Sequence, residues 1–153
     1  MKRKSKQKFT IGRSEYIEFI DWGIVGLLAK VDTGARTSAL HVEDLVELPD
    51  AEVQFRVILN MQRDAPSVIV RAPISRWAKV RSSSGHFSKR CFVRTRVRIG
   101  PIEKDIEISL DSREKMQYRM LLGRQALASE FVVDVSKRHG FRPQLPNKGV
   151  PSK

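Results

Sequence analysis

The chain has 153 residues, of which 41% are hydrophobic, enough for one domain with a buried core. No apolar run approaches the ~18 residues of a membrane-spanning helix, and no apolar segment of a secretory signal follows the basic start Met1–Lys6. The formal charge is +12, yet five basic residues and no acid lie in 1–8 and five more in 137–153, which leaves 19 cations against 17 acids between them.

That distribution predicts a basic disordered tail at 1–8, a near-neutral domain at 9–136, and a second basic tail at 137–153. There Pro143, Pro146, Gly149 and Pro151 discourage packing. Solvated tails are the simplest reading, and contact with RNA or another polyanion is the minor one. One cysteine, Cys91, rules out an internal disulfide and suits a cytoplasmic protein, with the periplasm left open.

In chain order, the first apolar segment is Ile24–Val31, which runs straight into Asp32-Thr33-Gly34. Val53–Leu59 begins with strict alternation, and Ser67–Val70 is short and β-branched; both read as strands. Cys91, Val93, Thr95, Val97 and Ile99 alternate with Phe92, Arg94, Arg96 and Arg98, giving one buried and one largely cationic face. Gly100-Pro101 should turn that strand into the next, where Ile106, Ile108 and Leu110 repeat the pattern. A short helix is expected over Arg124–Glu130 and a last strand over Phe131–Val135. Many short strands with one late helix predict an all-β fold, a small barrel or a sandwich.

Two motifs carry the functional reading. The first is Ala29-Lys30-Val31-Asp32-Thr33-Gly34-Ala35, an apolar strand that delivers an acid into a Thr-Gly turn. The second is Met120-Leu121-Leu122-Gly123-Arg124, an apolar strand that ends in glycine just before the helix. An Asp-Thr-Gly tripeptide alone is most often a plain turn or helix cap. Paired in this order with β-structure between them, the two resemble the retropepsin-like aspartic peptidases.

The resemblance implies an all-β closed barrel of the acid-protease type in which Asp32 is the catalytic carboxylate, with Thr33 and Gly34 shaping its loop. It makes Leu121, Leu122, Gly123 and Arg124 the support beneath that loop. Such chemistry needs two carboxylates sharing one proton, so that one activates water while the other protonates the carbonyl oxygen. Asp111-Ser112-Arg113 lacks the glycine of a second motif, so one half-site per chain implies a homodimer. Ala35 and Arg36 would border the substrate, and Ser83, Ser84 and Gly85, within Arg81–His86, would form a flap.

From Ile11 to Val135 the chain is similar, more narrowly, to a bacterial and archaeal family labelled "ATP-dependent zinc protease". That family is linked to ATP-grasp ligases that add glutamate to a ribosomal protein. The match lies in Lys30–His41, Val80–Gly85 and Met120–Leu127. The label finds no support in the residues. There is no His-Glu-x-x-His, His41, His86 and His139 have no ligand spacing, and no phosphate-binding glycine loop is present, so neither metal nor ATP is expected.

One position departs from the retroviral pattern. Arg36 stands where an acid would pair with Arg124, so another acid should serve Arg124, and Arg36 is available to the cleft. Nine basic residues and no acid in 71–98 add to a field suited to acidic, Glu-rich peptides, though part must be cross-strand pairing. The alternatives are a non-catalytic peptide-binding module of the same fold, or a basic protein associated with RNA or the ribosome.

Overall fold

The computed structural model describes residues 7–81, 84–112 and 117–142. Its strands are β1 (Phe9–Ile11), β2 (Ser14–Phe19), β3 (Ile24–Val31), β4 (Ser38–Leu48), β5 (Glu52–Ile58), β6 (Ser67–Arg81), β7 (Phe87–Ile99), β8 (Ile102–Asp111), β9 (Met120–Leu122) and β10 (Phe131–Val133). One helix, α1 (Arg124–Leu127), follows β9.

Strand pairing closes on itself, as the all-β barrel expectation requires. β2 pairs with β3, β3 with β9, β9 with β4, β4 with β8, β8 with β7, and β7 returns to β2. A closed ring leaves none of these backbones as an open edge. β5 and β6 bridge from β4 to β7 and complete a second circuit beside the first. The alternating strands turn Ile17, Phe19, Leu27, Leu40, Val93, Val97, Ile99, Ile108, Met120 and Leu122 inward, all buried in one core. Cys91 belongs to that core, and burial, helped by the charge of Glu47, pushes its thiol pKa up to about 11. It is therefore a packed thiol at neutral pH, not a nucleophile.

At Gly100 the backbone takes a φ of 56° in the two-residue turn between β7 and β8. A Cβ there would lie 2.5 Å from the ring of Phe141, so the turn and the packing both demand glycine.

Several boundaries differ from those expected. The helix stops at Leu127 rather than Glu130, because Ala128 is extended and Ser129 has a φ of 82°. That turn brings Phe131 back to pair with Phe9, and the Lys104 ammonium donates to the freed carbonyls of Ala126 and Ala128 at 2.8 and 3.2 Å. β10 ends at Val133, where Asp134 accepts hydrogen bonds from the Ser136 amide and hydroxyl.

The sequence reading places a basic tail from residue 137. Residues 137–142 lie against β2 and the segment before it. The Arg13 and Ser14 amides donate to the Lys137 and Arg138 carbonyls at 2.8 and 3.1 Å. Glu15, only 1% exposed, accepts the amides of Gly12, Gly140 and Phe141. A Cβ at Gly12 or Gly140 would meet backbone at 2.6 Å or less, so the two glycines let these segments approach. Composition hid this because the anchor is a backbone-binding carboxylate rather than an apolar patch. The expectations for residues 1–6 and 143–153 lie outside the described residues.

Candidate active site

β3 carries the chain to Asp32 at one end of the barrel. β9 lies between β3 and β4, parallel to the first and antiparallel to the second. The chain that follows β9 grips the loop 32–38 at five points. The Asp32 amide donates to the Leu122 carbonyl at 2.9 Å, extending the β3–β9 ladder by one residue. The Gly123 amide donates to Ser38 Oγ at 3.1 Å. The Arg124 and Gln125 amides donate to the Ala35 and Arg36 carbonyls at 2.8 and 3.0 Å. Finally, Arg124 Nη1 donates to the Thr33 carbonyl at 3.1 Å.

Gly123 makes this grip possible. Its φ of −89° is open to any residue, but an added Cβ would lie 2.6 Å from the carbonyl carbon and oxygen of Thr37. Space, not backbone freedom, fixes glycine here. Leu122 is fully buried beneath the loop, while Leu121 is half-buried opposite Lys30 and Ala39.

Within the loop, the Gly34 amide donates to Asp32 Oδ1 at 3.0 Å and the Ala35 amide to the Asp32 carbonyl at 3.2 Å. Asp32 is half-buried, and Thr33, Gly34 and Arg36 are exposed. Among the described residues, the Thr33 hydroxyl has no partner within the chain. The result is a carboxylate on a rigid turn whose outer side is open.

Arg124 departs from the expectation of an acidic partner, since its guanidinium is spent on the Thr33 carbonyl. The Arg36 side chain, by contrast, makes no ion pair among the described residues.

The cationic face of β7 is matched by acids, as the expected cross-strand pairing requires. Arg94 pairs with Asp105, Arg96 with Asp21, and Arg98 with Glu18 and Glu103. Arg76 and Arg90 likewise meet Glu107 and Asp111. These acids come from β2, the turn after it and β8, so the 71–98 stretch looked unopposed only in one dimension.

β6 and β7 form a long hairpin with Arg81 opposite Phe87 at its end. Ser84 and Gly85 are exposed in its turn, and Gly85 has a φ of 88°. Ser83 lies outside the described residues. Ser38 and Thr37, which the sequence reading gave no role, complete the seat of the loop. Both sit inside the long match Lys30–His41, which was their only signal. Among the described residues no group of three or more His, Cys, Asp or Glu could hold a metal ion. No described helix is long and apolar enough to cross a membrane.

Three comparisons bear on this geometry. Two curated relatives are each described as a "Probable alpha-L-glutamate ligase". The one from Shewanella halifaxensis is 31% identical over 136 residues, covering 87% of this chain and 30% of its own length. The one from Parasynechococcus marenigrum is 34% identical over 137 residues, covering 87% and 29%. The chain thus spans about 30% of the length of the relatives it matches. A crystal structure of a Legionella pneumophila protein of unknown function shares the fold, with a TM-score of 0.70 at 24% identity over 86% of this chain and 96% of that one. Residues 10–142 match the RimB-like family, described as "Retropepsin-like aspartic endopeptidase RimB". With that match over most of its length, the chain belongs to the RimB-like family of retropepsin-like aspartic endopeptidases.

Proposed function

We propose that the protein is an aspartic endopeptidase whose catalytic dyad forms from two Asp32 side chains across the twofold axis of a homodimer. The observation that carries this reading is the single Asp32-Thr33-Gly34 loop, held from below by residues 122–125 and open on its outer side. One carboxylate cannot both take a proton from water and give one to the scissile carbonyl. Two carboxylates about 3 Å apart titrate as a pair and hold one proton between them, which supplies both roles. An isologous dimer brings the second carboxylate at no cost in new sequence.

Ala35 and Arg36 border the substrate in this reading, and the hairpin turn with Ser84 and Gly85 closes over it. Arg36 favours acidic, Glu-rich peptides, and it does so without Arg94, Arg96 and Arg98, whose charges are already matched. The ligase name of the relatives belongs to much longer proteins and gives this chain no ligase activity.

The test is peptide cleavage by purified protein beside Asp32→Asn, which keeps the side chain's shape but cannot supply the shared proton. Hydrolysis should vanish in the variant while its fold and dimerisation survive, and a chelator should leave the wild-type rate unchanged. Cleavage that persists in Asp32→Asn, or a protein that stays monomeric, refutes the dyad.

A further inference from the structure

Lys30 stands two residues before Asp32. Because the Asp32 amide extends the β3–β9 ladder, the strand's period of two carries through the catalytic position. Leu28, Lys30 and Asp32 therefore share one face of β3, while Leu27 and Ala29 turn into the core.

Leu28 lines a cavity of about 240 Å³ together with Tyr16, Leu59, Met61 and Tyr118. Arg119 Nε donates to the Asn60 carbonyl at 2.9 Å and ties two of its walls together. From Leu28 to Asp32 the strand advances about 13 Å, the reach of a four-residue extended peptide. A substrate whose scissile bond sits at Asp32 and whose chain follows this face passes directly over Lys30.

The Lys30 ammonium is exposed and has no acid in ion-pair range among the described residues. Its cross-strand neighbours, Ser14 and Leu121, are uncharged. Eight other cations of the barrel, Arg56, Arg71, Arg76, Arg90, Arg94, Arg96, Arg98 and Lys104, are matched to carboxylates, whereas, among the described residues, Lys30, like Arg36, is not. An exposed cation with no acid beside it, two residues before the catalytic acid on the same strand face, has substrate as its natural counter-charge.

We propose that Lys30 is a specificity-determining residue that binds the carboxylate side chain of a substrate residue close to the scissile bond. The inference rests on the peptidase reading and deepens it. Arg36 lies beyond Asp32 in the chain and Lys30 before it, so acidic side chains on either side of the bond would each meet a cation.

The experiment compares hexaglutamate and hexaglutamine, each flanked by the same neutral, fluorescently labelled residues. Binding is measured to the Asp32→Asn protein with Lys30, Lys30→Gln or Lys30→Arg, so that the result does not depend on turnover. The preference for the glutamate peptide should fall on the order of tenfold in Lys30→Gln and return in Lys30→Arg. A merely structural lysine would lower both affinities together, and equal loss, or no loss, overturns the proposal. Wild-type protein assayed on the same peptides keeps the two readings apart: binding selectivity without cleavage refutes the peptidase while upholding Lys30.

Discussion

At the scale of single residues, two positions separate what space dictates from what charge dictates. Gly123 is held by space alone, with Thr37 backbone where a side chain would begin. Gly123→Ala should therefore cost about 1–3 kcal/mol in chemical denaturation, by the overpacking it forces, and should reduce cleavage further by shifting the Asp32 loop. Glu107 is held by charge. Hydrogen bonds from Arg76 keep its pKa below the usual carboxylate range against the effect of partial burial, with Ser75 adding to them. A depressed folded pKa stabilises the protein above the unfolded value and loses that contribution as pH falls through the folded one. Thermal melts from pH 7 downward should show this loss below about pH 4.5, and Glu107→Gln should flatten it.

At the scale of elements, the C-terminal segment and β2 act as one unit through Glu15. Glu15→Ala would leave the amides of Gly12, Gly140 and Phe141 unpaired, at about 1–3 kcal/mol for each that stays buried. The expected outcome is a melting temperature well below wild type, with hydrogen exchange at 137–142 rising first. This unit also shows what sequence could and could not tell. Strand β3 and the Asp32 loop were legible because an apolar run meeting Asp-Thr-Gly has few readings, and β9 was legible because Leu-Leu-Gly-Arg follows in the matching order. β2 was not, since Glu15 and Glu18 interrupt the apolar residues of Ser14–Phe19, yet Glu15 is buried against amides from both ends of the fold. β4 was obscured by a register shift between Glu43 and Val46, where Asp44 takes a φ of 55°. β6 runs through Pro73 and an irregularity between Ile74 and Arg76, which cut its pattern to the short piece Ser67–Val70. The partner of Arg124 was beyond sequence altogether, because a backbone carbonyl has no letter of its own.

At the scale of the whole molecule, the proposed dimer makes stability depend on concentration. Association that involves only folded protein raises the melting temperature as protein concentration rises. Melts over a hundredfold range should shift upward for wild type and for Asp32→Asn alike, since the variant removes a charge and not the interface. A melting temperature indifferent to concentration would leave Asp32 without its twin.

The position of β9 between β3 and β4 has a consequence for how the chain is made. A ribosome releases β3, the Asp32 loop and β4 first, but the strand that joins them arrives some eighty residues later, at Met120–Leu122. Until then β3 and β4 are neighbours with a gap between them, and the ring has no way to close. The clasp on Glu15 waits longer still, for Gly140 and Phe141. Folding that depends on such distant pairings is slow compared with local structure. The growing chain therefore carries its aspartate early, and the residues that hold its loop, 122–125, are synthesised only after most of the domain. If the protein is the peptidase proposed, a nascent or prematurely ended chain should be inactive, and cleavage is expected only from the whole domain.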